Sequence, residues 1–213
     1  MVDDSMAMWD REAATFDDAP DHGLRDPAVR RAWSELLLPL VGGPRRRVAD
    51  LGCGTGTLSA LLADEGGHVV HGVDISPEMI ERARAKTEHV VPRPVFTVAD
   101  ASDPPLRSRA FDVVLCRHVL WAMPDRDSAL RRWVDLLAPG GALILIEGRW
   151  STGAGMTAAE CTDLVRSLRD TVELRMLDDP AYWGGTTDDE RYIVYSPAAP
   201  GNVPDVAGVG GRR

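Results

Sequence analysis

Long hydrophobic runs are missing from these 213 residues. No apolar stretch approaches the length that spans a bilayer, and Met1-Val2-Asp3-Asp4 has no cationic signal region. A soluble, cytoplasmic protein without membrane attachment is the expectation. Clustered positive charge is equally scarce. The net charge is −9, and Arg45-Arg46-Arg47 is the only tight basic run. A nucleic-acid backbone demands a concentrated basic surface, so nucleic acid is not expected as a partner. That triplet reads instead as the solvated entry to a strand. The three cysteines (Cys53, Cys116 and Cys161) share no metal-ligand spacing, and a cytoplasmic chain rarely keeps disulfides. No metal is expected. There is no internal repeat. With 44% apolar and 27% charged residues, the composition is that of one ordinary globular domain.

What is present begins at Val48. The run Val48-Ala49-Asp50-Leu51-Gly52-Cys53-Gly54-Thr55-Gly56 joins a short apolar strand to a glycine-rich turn, and Thr57 to Glu65 then reads as a helix. Alternate glycines remove side chains where backbone must approach a ligand closely, and the helix start supplies unpaired N–H groups. Such a turn suits a nucleoside-bearing cofactor at the first strand of an open α/β sheet. The dinucleotide fingerprint is G-x-G-x-x-G, which sets a pyrophosphate on the helix N-terminus. Here the spacing is G-x-G-x-G, and Asp50 stands two positions ahead of the first glycine. A carboxylate there favours a cationic amine over a phosphate.

His68 to Val73 reads as a second strand ending at Asp74, where a carboxylate can hold ribose hydroxyls. Ser76-Pro77 opens a helix, with Ser as its cap and Pro at its first position. Pro94 to Val98 reads as a third strand, with Asp100 just beyond it, placed to accept from an adenine amino group. Phe111 to Cys116 is a strand buried on both faces, about Asp125 to Leu137 a helix stopped by Pro139-Gly140-Gly141, and Ala142 to Ile146 another buried strand. Ala101 to Ala110 is expected as loop. Ahead of the sheet, Trp9 to Asp17 suggests a short helix after a frayed start, and Asp26-Pro27 begins a stronger one ending at Gly42-Gly43-Pro44. Beyond Glu147 come a flexible connection (148–155), a helix from Thr157 to Arg169, and a closing strand pair at 172–177 and 191–196. The expected division is an N-terminal helical lid (1–40), an α/β cofactor domain (41–196) and a disordered tail (197–213). The fold class is Rossmann-like: an open, mostly parallel sheet with helices on both faces and an antiparallel closing strand.

Five pieces in order, Asp50-Leu51-Gly52-Cys53-Gly54-Thr55-Gly56, Gly72-Val73-Asp74-Ile75-Ser76-Pro77-Glu78-Met79, Ala99-Asp100, Phe111-Asp112-Val113-Val114 and Leu137-Ala138-Pro139-Gly140-Gly141, give a chain that resembles the class I S-adenosylmethionine-dependent methyltransferases. The resemblance runs from about Trp9 to Ile146, and more loosely to Ser196. It implies S-adenosyl-L-methionine as cofactor, with Asp50, Gly52, Cys53, Gly54 and Gly56 around its methionine part. Asp74 would then meet the ribose, Asp100 with Ala101 the adenine edge, and Ile75 and Met79 the adenine face. Backbone at Cys116-Arg117 would accept from the cofactor's amino group.

The methyl acceptor is less legible. His118 and Glu147 end consecutive strands and are the candidate catalytic groups. Trp9, Phe16 and His22 form a candidate lid, and Trp121, Trp150, Tyr182 and Trp183 candidate pocket walls. Arg149, with Arg25 and His22, could bind an anionic group. Trp33 and Trp133 read as core. The expected activity is methyl transfer to N or O of a small molecule, in the manner of bacterial specialised metabolism, by a monomer or homodimer. Two other readings stay open: a non-catalytic cofactor-binding protein, and a nicotinamide-dependent oxidoreductase, which the glycine spacing opposes. No Asn-Pro-Pro-Tyr-like stretch follows the fourth strand, which opposes methylation of exocyclic base amines.

Overall fold

The structure is a computed structural model that describes residues 2–197. Seven strands form one sheet: β1 (Arg47–Leu51), β2 (Val69–Asp74), β3 (Val95–Val98), β4 (Phe111–Arg117), β5 (Leu137–Arg149), β6 (Glu173–Met176) and β7 (Glu190–Ser196). Their spatial order is β3-β2-β1-β4-β5-β7-β6. β1 to β5 pair in parallel, while β7 runs antiparallel to both β5 and β6. The strand order reverses beside β1, so a crevice opens where β1 and β4 end together.

Among the described residues, seven α-helices surround the sheet: α1 (Val2–Glu12), α2 (Pro20–Gly23), α3 (Pro27–Val41), α4 (Thr57–Asp64), α5 (Pro77–Lys86), α6 (Arg126–Leu136) and α7 (Ala158–Arg166). Local chemistry sets several starts. Asp26 caps α3 through Ala28 N, Ser76 caps α5 through Met79 N, and Asp125 caps α6 through Ser128 N, while Thr157 and Glu160 form a reciprocal capping box on α7. Each side of the sheet has its own core. Trp133 and Leu130 of α6 join Cys161 and Val165 of α7 over Ala49, Val114, Leu145 and Tyr192. Trp33 and Leu37 of α3 join Leu61 of α4 over Val48, Leu115, Ile146 and Ile193. Trp33 and Trp133 are both fully buried, as the sequence reading has them.

Three elements depart from expectation. The N-terminus is helical from Val2 rather than frayed, because α1 is anchored on α5: Asp10 accepts from Ser76 Oγ at 2.5 Å. Pro139-Gly140-Gly141 does not end a helix ahead of a separate strand, since β5 already starts at Leu137. Leu137 pairs with Phe111, and the register then shifts before Val113 meets Ala142, so these residues are an irregularity inside an extended segment. The connection after Glu147 likewise begins as strand, to Arg149. The expected tail, apart from Pro197, lies outside the described residues.

Trp133 fills the α6 side of the core and donates from Nε1 to Ala101 O at 2.6 Å. Trp133→Ala should therefore cost about 3–5 kcal/mol, read as a lower urea midpoint.

Candidate active site

The β1–α4 turn is shaped by three glycines of positive φ, the first of them Gly52 at φ +69°, where a Cβ would lie 2.2 Å from Val119 Cγ2. The other two lie under neighbouring elements. Gly54 has φ +53°, and a Cβ there would lie 3.2 Å from the Phe16 ring. Gly56 has φ +74°, and its Cβ would come 2.7 Å from that of Ala83 in α5. Both carry the left-handed backbone that glycine adopts without penalty. The turn is pinned to the neighbouring strand, with Gly52 N and Cys53 N donating to Val73 O at 2.7 and 3.0 Å. Asp74 braces it further: Oδ2 accepts from Gly54 N at 2.8 Å and Oδ1 from Ser76 N at 2.9 Å.

Asp50 lies under the turn, 2% exposed, and accepts from Ser59 Oγ at 2.6 Å. Burial raises its carboxyl to about 6, against the opposing pull of the Ser59 hydrogen bond and the Arg117 charge. Asp74 is shifted upward for the same reason. The two carboxylates sit side by side on one face of β1 and β2, an anionic floor suited to a cationic ligand group. This donor set and the Cβ-free turn fit an adenosyl sulfonium with its α-amino group. Farther along, Asp100 Oδ1 accepts from Ser102 N at 2.8 Å, Ala101 O accepts from Trp133, and Ile75 is half-buried. Met79 is only 1% exposed, held under the start of α5.

The N-terminal segment folds over this turn. Phe16 lies on Gly54 and stacks on His22 with ring centroids 4.2 Å apart, and Trp9 meets Phe16 edge-on at 6.3 Å. Asp17 accepts from Thr55 Oγ1 at 2.5 Å and pairs with Lys86 Nζ at 2.8 Å; Lys86, the chain's only lysine, also donates to Thr55 and Thr57. Arg117 donates to Asp21 O at 2.6 Å and stacks over Trp33 at 5.2 Å. Sequence reasoning passed over Asp10, Asp17 and Lys86, because each is an ordinary surface residue until the segment closes.

Beyond the end of β4 the aromatics gather. His118, with φ +60°, is 5.3 Å from Trp150 and 6.1 Å from Trp183; Trp121 is 5.2 Å from Trp150 and donates from Nε1 to His118 O. Trp183 is also core, against Trp33 at 5.4 Å, and Tyr182 packs on Trp33 at 5.8 Å. Arg191, which sequence reasoning missed, lies between Trp150 and Trp183 at 5.3 and 4.8 Å. The signal was its place in β7, in phase with buried Ile193. The two arginines expected to meet an anion sit elsewhere. Arg25 pairs with Asp18 at the surface, and Arg149 is exposed at the end of β5.

Glu147 is fully buried. Its Oε1 accepts from Val119 N at 3.1 Å and Leu120 N at 2.7 Å, which holds the bend after β4 in place. Burial pushes its carboxyl up to about 8, outweighing those hydrogen bonds. His118 moves the opposite way, well below its ordinary value, through burial and the charges of Arg117 and Arg191. Both are therefore neutral at pH 7.

Two outcomes follow from this geometry. A carboxyl raised in the folded state stabilises fully below its unfolded value and loses that contribution as pH rises to about 8. Glu147→Gln should therefore gain stability over the native chain between pH 5 and pH 8, by at most about 1.4 kcal/mol per pH unit, in parallel urea titrations. Asp17→Asn should loosen the segment and speed acetylation of Lys86 severalfold, as read by peptide mapping.

Residues 49–145 match the family model described as a methyltransferase domain. The chain is 37% identical over 141 residues to the 27-O-demethylrifamycin SV methyltransferase of Amycolatopsis mediterranei, covering 64% of this chain and 48% of that protein. It is 39% identical over 116 residues to the aklanonic acid methyltransferase DauC of a Streptomyces species, covering 53% and 51%, and 31% identical over 140 residues to the ubiquinone/menaquinone biosynthesis C-methyltransferase UbiE of Vibrio campbellii, covering 63% and 53%. The chain thus spans about half the length of these relatives. In fold it is similar to the [4+2]-cyclase SpnF (TM-score 0.67, 20% identity, 80% of this chain and 81% of that one) and to the magnesium protoporphyrin IX methyltransferase of Synechocystis with bound S-adenosylmethionine (0.60, 24%, 82% and 77%). In the matched residues 49–145 and in the order of its strands, the chain is similar to the class I S-adenosylmethionine-dependent methyltransferases, and S-adenosylmethionine is the ligand bound in the Synechocystis neighbour.

Proposed function

We propose that the protein transfers a methyl group from S-adenosylmethionine to an oxygen or nitrogen of a small molecule. The observation that carries this reading is the juxtaposition of the Gly54–Gly56 turn, floored by Asp50 and Asp74, with the ring cluster His118, Trp121, Trp150 and Trp183 one strand away. A cofactor seat and an aromatic recess then share one edge of the sheet. The short N-terminal cover formed by Trp9, Phe16 and His22 suits a small acceptor better than a macromolecule. Among the matched relatives, the rifamycin and aklanonic acid enzymes carry names of specialised metabolites, which supports a role of that kind. UbiE is named a C-methyltransferase, so oxygen or nitrogen is preferred here on the polar character of His118 and Arg191 beside the recess.

The bound cofactor supplies an electrophilic methyl group whose departure leaves a neutral thioether. What the chain contributes is alignment of the acceptor atom with that methyl group, together with exclusion of water. In this reading Asp74, Asp100, Ala101 and Ile75 border the nucleoside, and Gly52, Cys53 and Gly54 with Asp50 border the amino-acid end. Backbone at Arg117 meets the amino group, and the Trp9–His22 segment closes above. Met79 supports the adenine side from beneath α5. Glu147, protonated below about pH 8 and tied to backbone, acts as a positioning residue for the bend at Val119–Leu120 rather than as a base. An acceptor that ionises by itself, such as a carboxylic acid or phenol, then needs no enzyme base.

Incubation with methyl-labelled cofactor and a panel of small acids, phenols and amines should move label into the small-molecule fraction. Asp50→Asn should lower that rate at least tenfold. Tight binding of S-adenosylhomocysteine with no transfer to any acceptor would instead favour a cofactor-binding protein without turnover.

A further inference from the structure

Residues 15–24 are closed on themselves by short-range hydrogen bonds. Asp18 N donates to Thr15 O at 2.9 Å, His22 N and Gly23 N to Ala19 O at 3.1 and 3.0 Å, and Leu24 N to Pro20 O at 3.1 Å. The His22 ring stacks on that of Phe16, and a Cβ on Gly23 would collide with Asp17 O, so the segment is packed against itself from end to end. Its flanks are fixed in the protein: Ala13 is 2% exposed, and Leu24 is 3% exposed within the α3-side core. Leu24 has φ +48°, a left-handed backbone uncommon for a leucine, which marks a sharp bend where the segment leaves α2.

This compact unit grips two places at once. On the cofactor side, Phe16 lies close to Gly54, and Asp17 holds both Thr55 Oγ1 and Lys86 Nζ. On the far side, Pro20 fills the space over Gly184, where φ is +73° and a Cβ would lie 2.5 Å from Pro20 Cβ. Asp21 O accepts there from Arg117 Nη1. Gly184 belongs to the loop that carries Tyr182 and Trp183, itself closed by Trp183 N and Gly185 N on Pro180 O. Beneath the segment the cofactor turn is covered: Gly54 is buried, Thr55 is 1% exposed, and the floor carboxylates Asp50 and Asp74 are 2% and 8% exposed. The Asp17–Lys86 pair, by contrast, is partly open to water on both sides. Such a pair contributes little enough to be broken and remade.

We propose that residues 15–24 move as one body to gate the cofactor seat, and that the 180–185 loop, through Gly184 and Pro20, sets how readily the gate opens. This rests on the methyltransferase reading and adds to it a coupling between the two ends of the site. The floor carboxylates become reachable when Asp17 leaves Thr55 and Lys86. Because the unit is internally bonded, Pro20 and Asp21 then shift with Asp17, and the loop that carries Trp183 feels the change.

The test follows S-adenosylhomocysteine binding to the full chain by stopped-flow tryptophan fluorescence, since Trp9 meets Phe16 and Trp33 lies against Arg117. A gate that must open first makes the observed rate level off at high ligand concentration. Asp17→Asn, which removes the charge of the latch, and Gly184→Ala, which crowds Pro20, should each raise that plateau at least threefold. Hydrogen exchange on the unmutated protein gives a readout independent of how the variants fold: S-adenosylhomocysteine should slow exchange in 15–24 and 180–185 together. A rate that climbs in proportion to ligand, a plateau that a folded Gly184→Ala leaves unchanged, or protection confined to 15–24 would overturn the gate. Failure of the native chain to bind S-adenosylhomocysteine at all would count against the cofactor reading itself.

Discussion

Close backbone approach at Gly54 and Gly56 is the constraint on which the other features of the site depend. Because no Cβ intervenes at these two glycines, α5 can press against the turn at Ala83, and Phe16 can approach it closely. The turn also gives up its own N–H groups to protein partners, Val73 O and Asp74, so its shape is set before any ligand arrives. A site built this way holds its geometry through the sheet rather than through flexible side chains, as alignment-driven chemistry requires.

Electrostatics then divide the edge of the sheet into two halves. Under the turn stand the carboxylates Asp50 and Asp74; one strand farther on stand Arg117 and Arg191. All four occupy the same face, in phase with Val48, Val113, Leu115 and Ile193 of the α3-side core. The first half thus presents negative charge and the second positive charge, within a molecule of net charge −9. Neutral Glu147 and neutral His118 lie between, adding shape and hydrogen bonds without disturbing that polarity.

Much of this was legible in the amino-acid order. The cap residues Asp26, Ser76 and Thr157 announce their helices by local chemistry, and the apolar runs of β4 and β5 announce buried parallel strands. The Asp50–Gly56 turn was readable because its spacing carries a steric reason. What stayed hidden depends on contacts distant in sequence. The early start of α1 rests on Asp10 meeting Ser76, and the β5 irregularity on Phe111 pairing with Leu137. The surroundings of Arg149 and Arg191 were hidden by the same limit. Alternation places Arg149 at an exposed strand end, while Arg191 joins the aromatics only through the antiparallel return of β7.

The central claim is that the Cβ-free turn is the seat of the cofactor. Calorimetry of S-adenosylhomocysteine on native protein and on Gly54→Ala, both checked for cooperative unfolding, tests it most directly. A methyl group at a position with φ +53° and only 3.2 Å of clearance should weaken binding at least tenfold while the fold persists. Equal heats and affinities for a folded Gly54→Ala, or no binding to the native chain, would contradict it.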